Sequence, residues 1–263
     1  MPLGVLPIQA AMDELELSVG PPNPDLPPEP GEWMRRFASL PLLYRPGRTL
    51  MCNTGAEVLG VLIARASARP FESFLAERIF EPLGMVDTGF SVPAGKLDRL
   101  PPHDAPDPGT GELTVYDDSA GRWSRPPAFP SGAGGLVSTA DDYLAFGQML
   151  LDHGRFGRER ILCRPSVQAV ITDQLTADQR TAAEPFLGPD RSWGFGVSMV
   201  TRRDGVAEIP GQFGWDGGMG TSWTSDPLEE MVVILMTTTM WTSPTPPPVF
   251  LDFRTSPYQA IDD

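Results

Sequence analysis

Two short polar stretches combine side chains that could contact a substrate. The first, Cys52-Asn53-Thr54-Gly55, runs directly into an apolar stretch. A thiol and a carboxamide at a helix start can act on a carbonyl compound, the thiol as nucleophile and the amide as hydrogen-bond partner. The second, Trp215-Asp216-Gly217-Gly218, joins an aromatic and a carboxylate to two glycines that let a ligand approach the backbone. Both stretches also have a plain structural reading. Asn is a favoured helix cap, and a cap can still present its amide to a ligand. Trp215 can line a pocket or simply fill a turn.

Other reactive side chains are few. Lys96 is the only lysine in the chain, and the residue three before it is Pro93. The two cysteines, Cys52 and Cys163, form neither a disulfide framework nor a metal-ligand spacing. A helix N-terminus lowers a thiol pKa, but no histidine lies near Cys52 in sequence to activate it. His103 sits in a Pro/Asp loop expected to be solvated. His153 falls at a helix C-terminus, where cations are favoured. No G-x-S-x-G stretch supports a Ser-His-Asp triad. Gly132 to Gly135 lacks the G-K-[ST] ending of a phosphate loop. No metal site and no cofactor are expected.

The elements that must position these groups follow from the patterning. Residues 18–32 are proline-dense and read as an extended surface loop. Trp33 to Leu43 fits a short helix. Thr54 to Ala68 has helical periodicity, with Val58, Leu59, Leu62 and Ile63 on one face and Asn53 or Thr54 as N-cap. A second helix opens at Pro70, buries Phe71, Phe74, Leu75 and Ile79, and stops before Pro82. Residues 101–135 read as loop. Thr139 and Asp142 have near capping-box spacing ahead of an amphipathic Leu144 to Leu151, with Gly154 as C-cap. Pro165 to Gln174 is another short helix. After about residue 190 the period changes. Residues 193–201, 220–226 and 231–239 read as neighbouring antiparallel strands, with a turn at Asp226-Pro227. A terminal helix interrupted by Pro257 follows.

This order predicts an α+β fold, a helical lobe packed with an antiparallel sheet, in a single domain over 1–263. Its parts are a loop-rich lead-in (1–47), a mainly helical lobe (48–190), and a sheet with terminal helix (191–263). A net charge of -14 argues against a nucleic-acid surface. No apolar run reaches membrane-span length. The N-terminus lacks a basic region ahead of its apolar run, so a cytoplasmic location is the default expectation.

Three stretches carry a family resemblance: "PGRTLMCNTGAEVLGVLIARASARPFESFLAERIFEPLGMVDTGF", "SGAGGLVSTADDYLAFGQML" and "FGWDGGMGTSW". From about residue 44 onward the chain resembles the serine β-lactamase-like family, which includes class C β-lactamases, DD-peptidases and esterases of the same fold. That resemblance implies acyl transfer on a small-molecule ester or amide. A serine attacks the carbonyl and the lysine of a Ser-x-x-Lys motif helps deprotonate it. Positions i and i+3 share a helix face, so the amine reaches the hydroxyl. A Tyr-x-Asn turn and a Lys-Thr-Gly or His/Trp-x-Gly strand complete the cleft.

By the same resemblance Asn53 takes the Asn position of the turn. Met51 or Cys52 then stands in place of the tyrosine, and neither supplies a phenol. Trp215-Asp216-Gly217 matches the third motif in its hydrophobic form, which suits a neutral ester or amide better than a carboxylate. The chain contains no Ser-x-x-Lys. The resemblance therefore implies a β-lactamase-like fold incomplete at its N-terminus, inactive by itself, with an exposed apolar face and an unpaired strand edge. The alternative is a degenerate relative that acts as a binding module.

Overall fold

The computed structural model describes residues 8–17, 21–243 and 245–262. Helix α1 (Gln9–Glu14) stands in the loop-rich lead-in, and α2 (Pro30–Phe37) overlaps the short helix expected from Trp33, beginning earlier at Pro30 and ending before Leu43. Proline tolerates the first helical turn because its missing N–H would be unpaired there anyway. The Glu29 carboxylate caps α2 by accepting from the Gly31 and Glu32 amides at 2.9 and 2.7 Å. Met12, Leu17 and Trp33 from this region pack with Val61 and Phe129 into a small core.

Helix α3 (Thr54–Ser67) follows the Asn53 turn. Its buried residues are Gly60 and Val61, and Leu59 and Leu62 are 52% and 57% exposed, in line with the expected exposed apolar face. A close approach sets the buried side. The Gly132 backbone lies against α3 at Gly60, and a Cβ on Gly132 would drive into the Ala56 carbonyl oxygen. The loop therefore sets which side of α3 is inside.

Next, α4 (Phe71–Leu75) runs through a π-turn at Ala76–Phe80 into α5 (Glu81–Leu83). The helical path thus passes Pro82, which sits at the start of α5 and ends at the left-handed Gly84. The stretch read as loop instead forms an antiparallel hairpin of β1 (His103–Pro106) and β2 (Leu113–Asp117). Helix α6 (Ala140–Leu151) is capped by the Thr139 hydroxyl, which accepts from the Asp142 amide. A two-residue ribbon, β3 (Arg155–Phe156) and β4 (Glu159–Arg160), leads to α7 (Arg164–Val170). Helix α8 (Ala177–Leu187), opened by a Thr176/Gln179 capping box, had no counterpart in the sequence reading.

The sheet is five-stranded and antiparallel in the order β5 (Arg191–Trp193), β6 (Ser198–Val200), β7 (Phe213–Gly217), β8 (Thr221–Asp226), β9 (Met231–Met236). The stretch 193–201 is a hairpin rather than one strand. Side chains alternate across the sheet. Phe213 and Trp223 face α6, where Tyr143 and Phe146 meet Trp223 at 5.6 and 5.8 Å between ring centroids. Gly147 lets α6 approach Val232 and Trp223, since an added Cβ would lie 2.9 Å from Val232 Cγ1. The opposite face is covered by α9 (Pro248–Tyr258), through Arg254 and Asp216 and through Tyr258 and Asp226. The fold is α+β, a helical lobe on an antiparallel sheet.

Candidate functional site

The Asn53 turn is strained. Asn53 has φ 69° and ψ -62°, and the Thr54 amide donates to the Cys52 carbonyl at 3.1 Å. That is the rare γ-turn with positive φ at its centre, unfavourable for a residue with a Cβ. Asn53 occupies the cap position of α3, yet its side chain makes no capping bond. Its backbone carbonyl accepts from Ala56 and Glu57 at 2.8 and 3.2 Å instead. Among the described residues the exposed carboxamide has one partner, the Cys52 Sγ–H, which donates to Oδ1 at 3.1 Å. Burial pushes the Cys52 thiol up from its ordinary range. It is therefore a protonated donor at neutral pH rather than a thiolate.

One turn on, Glu57 holds the turn in place. Its carboxylate accepts from the Ser131 hydroxyl at 2.8 Å and the Gly132 amide at 2.9 Å. Ser131 Oγ in turn accepts from the Ala133 and Gly134 amides. Burial raises the Glu57 pKa, and these hydrogen bonds oppose the rise. Sequence reasoning missed this clamp. Its one available signal was an acid four residues after Asn53 on a helix whose neighbours are apolar.

Trp215 lies on β7 directly opposite Trp223. Its ring meets Trp193 edge-on at 4.6 Å and Phe186 of α8 at 5.4 Å. Asp216 points to the other face. Its Oδ1 accepts from the Ser222 hydroxyl at 2.6 Å, and its Oδ2 from Arg254 at 2.5 Å. Arg254 also lies 3.6 Å from Glu208, and its Nε is buried without a partner. The structure thus separates two neighbours that the sequence reading grouped: Trp215 joins an aromatic wall, and Asp216 is tied into a partly buried ion pair. The glycines differ too. Around Gly218 an added Cβ would meet nothing within 4 Å, whereas at Gly217 it would lie 2.8 Å from Thr221 Oγ1.

Helix α8 links the two stretches. At its N-terminal end the Gln179 amide donates to the Gly47 carbonyl at 2.6 Å, on the segment leading to the Asn53 turn. At its C-terminal end Phe186 touches Trp215. An open hollow of about 350 Å³ on that leading segment is lined by Leu42, Leu43, Tyr44, Arg45, Pro46 and Arg48.

Lys96 is elsewhere. Its ammonium pairs with the Asp87 carboxylate, which Arg99 also holds at 2.7 Å. His103 is half-buried in β1, not solvated as expected, and burial lowers its pKa. His153 follows α6 with φ 53°.

The fold and these motif positions converge on one family: the Beta-lactamase family model matches residues 12–247, and the chain belongs to that family. Protein Rv1367c of Mycobacterium tuberculosis is 34% identical over 218 residues, covering 79% of this chain and 53% of that protein. Esterase EstB of Burkholderia gladioli is 29% identical over 229 residues, covering 80% and 55%. The chain thus spans about half the length of the curated relatives it matches. Among solved structures, EstCE1, a hydrolase with promiscuous acyltransferase activity, superposes with a TM-score of 0.73 at 23% identity, covering 88% of this chain and 61% of that one. The simvastatin synthase LovD of Aspergillus terreus gives 0.71 at 21%, covering 87% and 60%. At those identities the likeness is one of fold.

Proposed function

We propose that these 263 residues form one side of the acyl-transfer cleft of a β-lactamase-like serine hydrolase, acting on a neutral ester or amide. In this reading Asn53 offers its carboxamide to the substrate, and Trp215 with Gly218 forms the facing wall. Cys52 fills the tyrosine position without its proton chemistry. Asp216 acts as a strut, because its carboxylate is spent on Arg254. Residues 1–47, 48–190 and 191–263 serve as lead-in, helical lobe and sheet of a single domain.

The chemistry asks for a serine hydroxyl that attacks the carbonyl and an amine that takes its proton. The observation that carries the proposal is the state of the one lysine. Lys96 follows Pro93 by three residues, and its ammonium is held by Asp87. An amine held on a carboxylate, with proline rather than serine three residues ahead of it, makes no Ser-x-x-Lys pair. The Ser-x-x-Lys pair must therefore come from polypeptide beyond these residues, and the chain alone is silent. Nothing cationic replaces the family's lysine or histidine at Trp215, which supports a neutral substrate.

A second reading is favoured by the loss of the phenol at positions 51 and 52: a binding module that holds an ester without cleaving it. A chimera separates the two. The part of Protein Rv1367c outside its match is joined to this chain and treated with a fluorophosphonate. Labelling on the serine of a Ser-x-x-Lys, with turnover of a neutral aryl ester, supports the hydrolase reading. Ester binding without label or turnover supports the module.

A further inference from the structure

The ribbon between α6 and α7 concentrates positive charge in an acidic chain. Residues 153–164 hold Arg155, Arg158, Arg160 and Arg164 with a single acid, Glu159, while the chain as a whole carries -14. All four arginines are exposed, and among the described residues none of them forms an ion pair. Strands β3 and β4 pair Arg155 directly with Arg160, and Phe156 with Glu159. Directly opposed residues share one face of a ribbon about 5 Å apart, and like charges placed there repel. Glu159 alternates to the other face and does not relieve them. Arg160 makes one bond, from Nη1 to the uncharged Leu162 carbonyl at 3.2 Å.

A hollow of about 430 Å³ opens beside this pair. It is lined by Leu151, Asp152 and His153 at the end of α6, by Arg155 and Gly157 of the ribbon, and by Glu230 of the β8–β9 turn. That volume suits a small molecule. Its lining combines a guanidinium with two carboxylates, which at neutral pH only accept hydrogen bonds. The β8–β9 turn lies at the end of the sheet opposite the β7–β8 turn that carries Gly218. The hollow therefore stands apart from the candidate cleft, and its occupant is independent of the acyl-transfer reading.

We propose that the Arg155–Arg160 pair and the adjoining hollow bind a small phosphate monoester with a hydroxyl-bearing body. Two guanidinium forks on one face share the oxygens of a single phosphate dianion, and the anion removes the repulsion between them. Asp152 and Glu230 accept from hydroxyl groups of the body and disfavour a second anionic group on it. Net charge selects a compact ligand over an extended polyanion. A membrane surface or a nucleic acid would reach past the ribbon, beyond the roughly 8 Å within which salt leaves charges visible to one another. It would then meet the acidic remainder of the chain. A monoester meets the ribbon and the hollow alone.

The test titrates the full 263-residue chain with glycerol 3-phosphate, glucose 6-phosphate, inorganic phosphate and glucose, read by calorimetry. At least one ester should bind saturably and about tenfold more tightly than inorganic phosphate, and glucose should not bind. Arg155→Gln and Arg160→Gln should each weaken the ester by about tenfold or more. Neither should lower the melting temperature of the ligand-free chain, because each relieves a repulsion, so lost binding is not lost folding. Asp152→Asn should narrow the preference for the ester over inorganic phosphate, and Arg78→Gln, an exposed arginine on another element, should change nothing. Failure of both esters to bind overturns the proposal, as does equal affinity for ester and inorganic phosphate. An unchanged preference in Asp152→Asn, or an equal loss in Arg78→Gln, overturns it too. Binding to phosphatidylglycerol vesicles without ester binding, lost in Arg155→Gln, also overturns it and makes a membrane surface the occupant.

Discussion

The two sides of the candidate cleft are stabilised by different means. The Asn53 side rests on backbone geometry and a hydrogen-bond clamp: a positive-φ turn, Glu57 on Ser131 and Gly132, and a glycine contact against α3. The Trp215 side rests on aromatic packing and a partly buried ion pair, Trp215 with Trp193 and Phe186, Asp216 with Arg254. The first stores strain in a residue free to meet a ligand. The second is a rigid wall whose charge is neutralised behind it. Strain at a residue whose exposed amide is bonded only by the Cys52 thiol, among the described residues, supports the proposed contact role. Strain in a purely structural turn would be relieved by glycine at no functional cost.

Substitutions on each side sharpen that contrast. The largest expected effect is on the Asn53 side. Gly132→Ala places a methyl against the Ala56 carbonyl, where backbone must move, and should cost about 3 kcal/mol or more in chemical denaturation. An unchanged midpoint would show that the loop does not pin α3. On the wall side, Arg254→Met leaves Asp216 and Glu208 without their shared cation and should cost about 3 kcal/mol. Adding Asp216→Asn should recover part of that loss. Simple additivity of the two would dissolve the strut.

Smaller effects probe the turn itself. Asn53→Gly suits the positive φ and should raise stability by roughly 0.5 to 1 kcal/mol, while abolishing ester contact in the completed enzyme. A stabilised variant with full activity would return Asn53 to a structural role. Glu57 gives a pH signature. Burial lifts its folded pKa above the ordinary 4.5, so the folded state binds more protons than the unfolded one within that window. Stability from this group is present below 4.5 and is lost as pH rises toward the folded value. Glu57→Gln should flatten that slope in denaturation curves taken from pH 4 to 7.

How much of this was legible beforehand depended on whether the signal was local. The α3 boundaries, the Thr139 cap and the last two strands follow from capping and periodicity, which neighbouring residues decide. The exposed apolar face of α3 was legible in outline, but which side lies inside is set by Gly132, more than sixty residues away. The hairpin of β1 and β2 was hidden by Pro and Asp residues that fit both loops and short edge strands. Helix α2 was expected from Trp33, but its start at Pro30 was read as loop, because proline breaks helices only past the first turn. At the site, residue types suggested Asn53 and Trp215. The opposite faces of Trp215 and Asp216 needed strand alternation, and the tie to Arg254 needed the position of α9.

The proposed function implies that the chain forms no acyl-enzyme by itself. Intact-mass spectrometry of the purified 263-residue polypeptide, incubated with a neutral aryl ester and separately with a β-lactam, tests it directly. The account predicts an unchanged mass for every molecule. A stoichiometric adduct mapped to any serine, cysteine or lysine, Cys52 included, would contradict it.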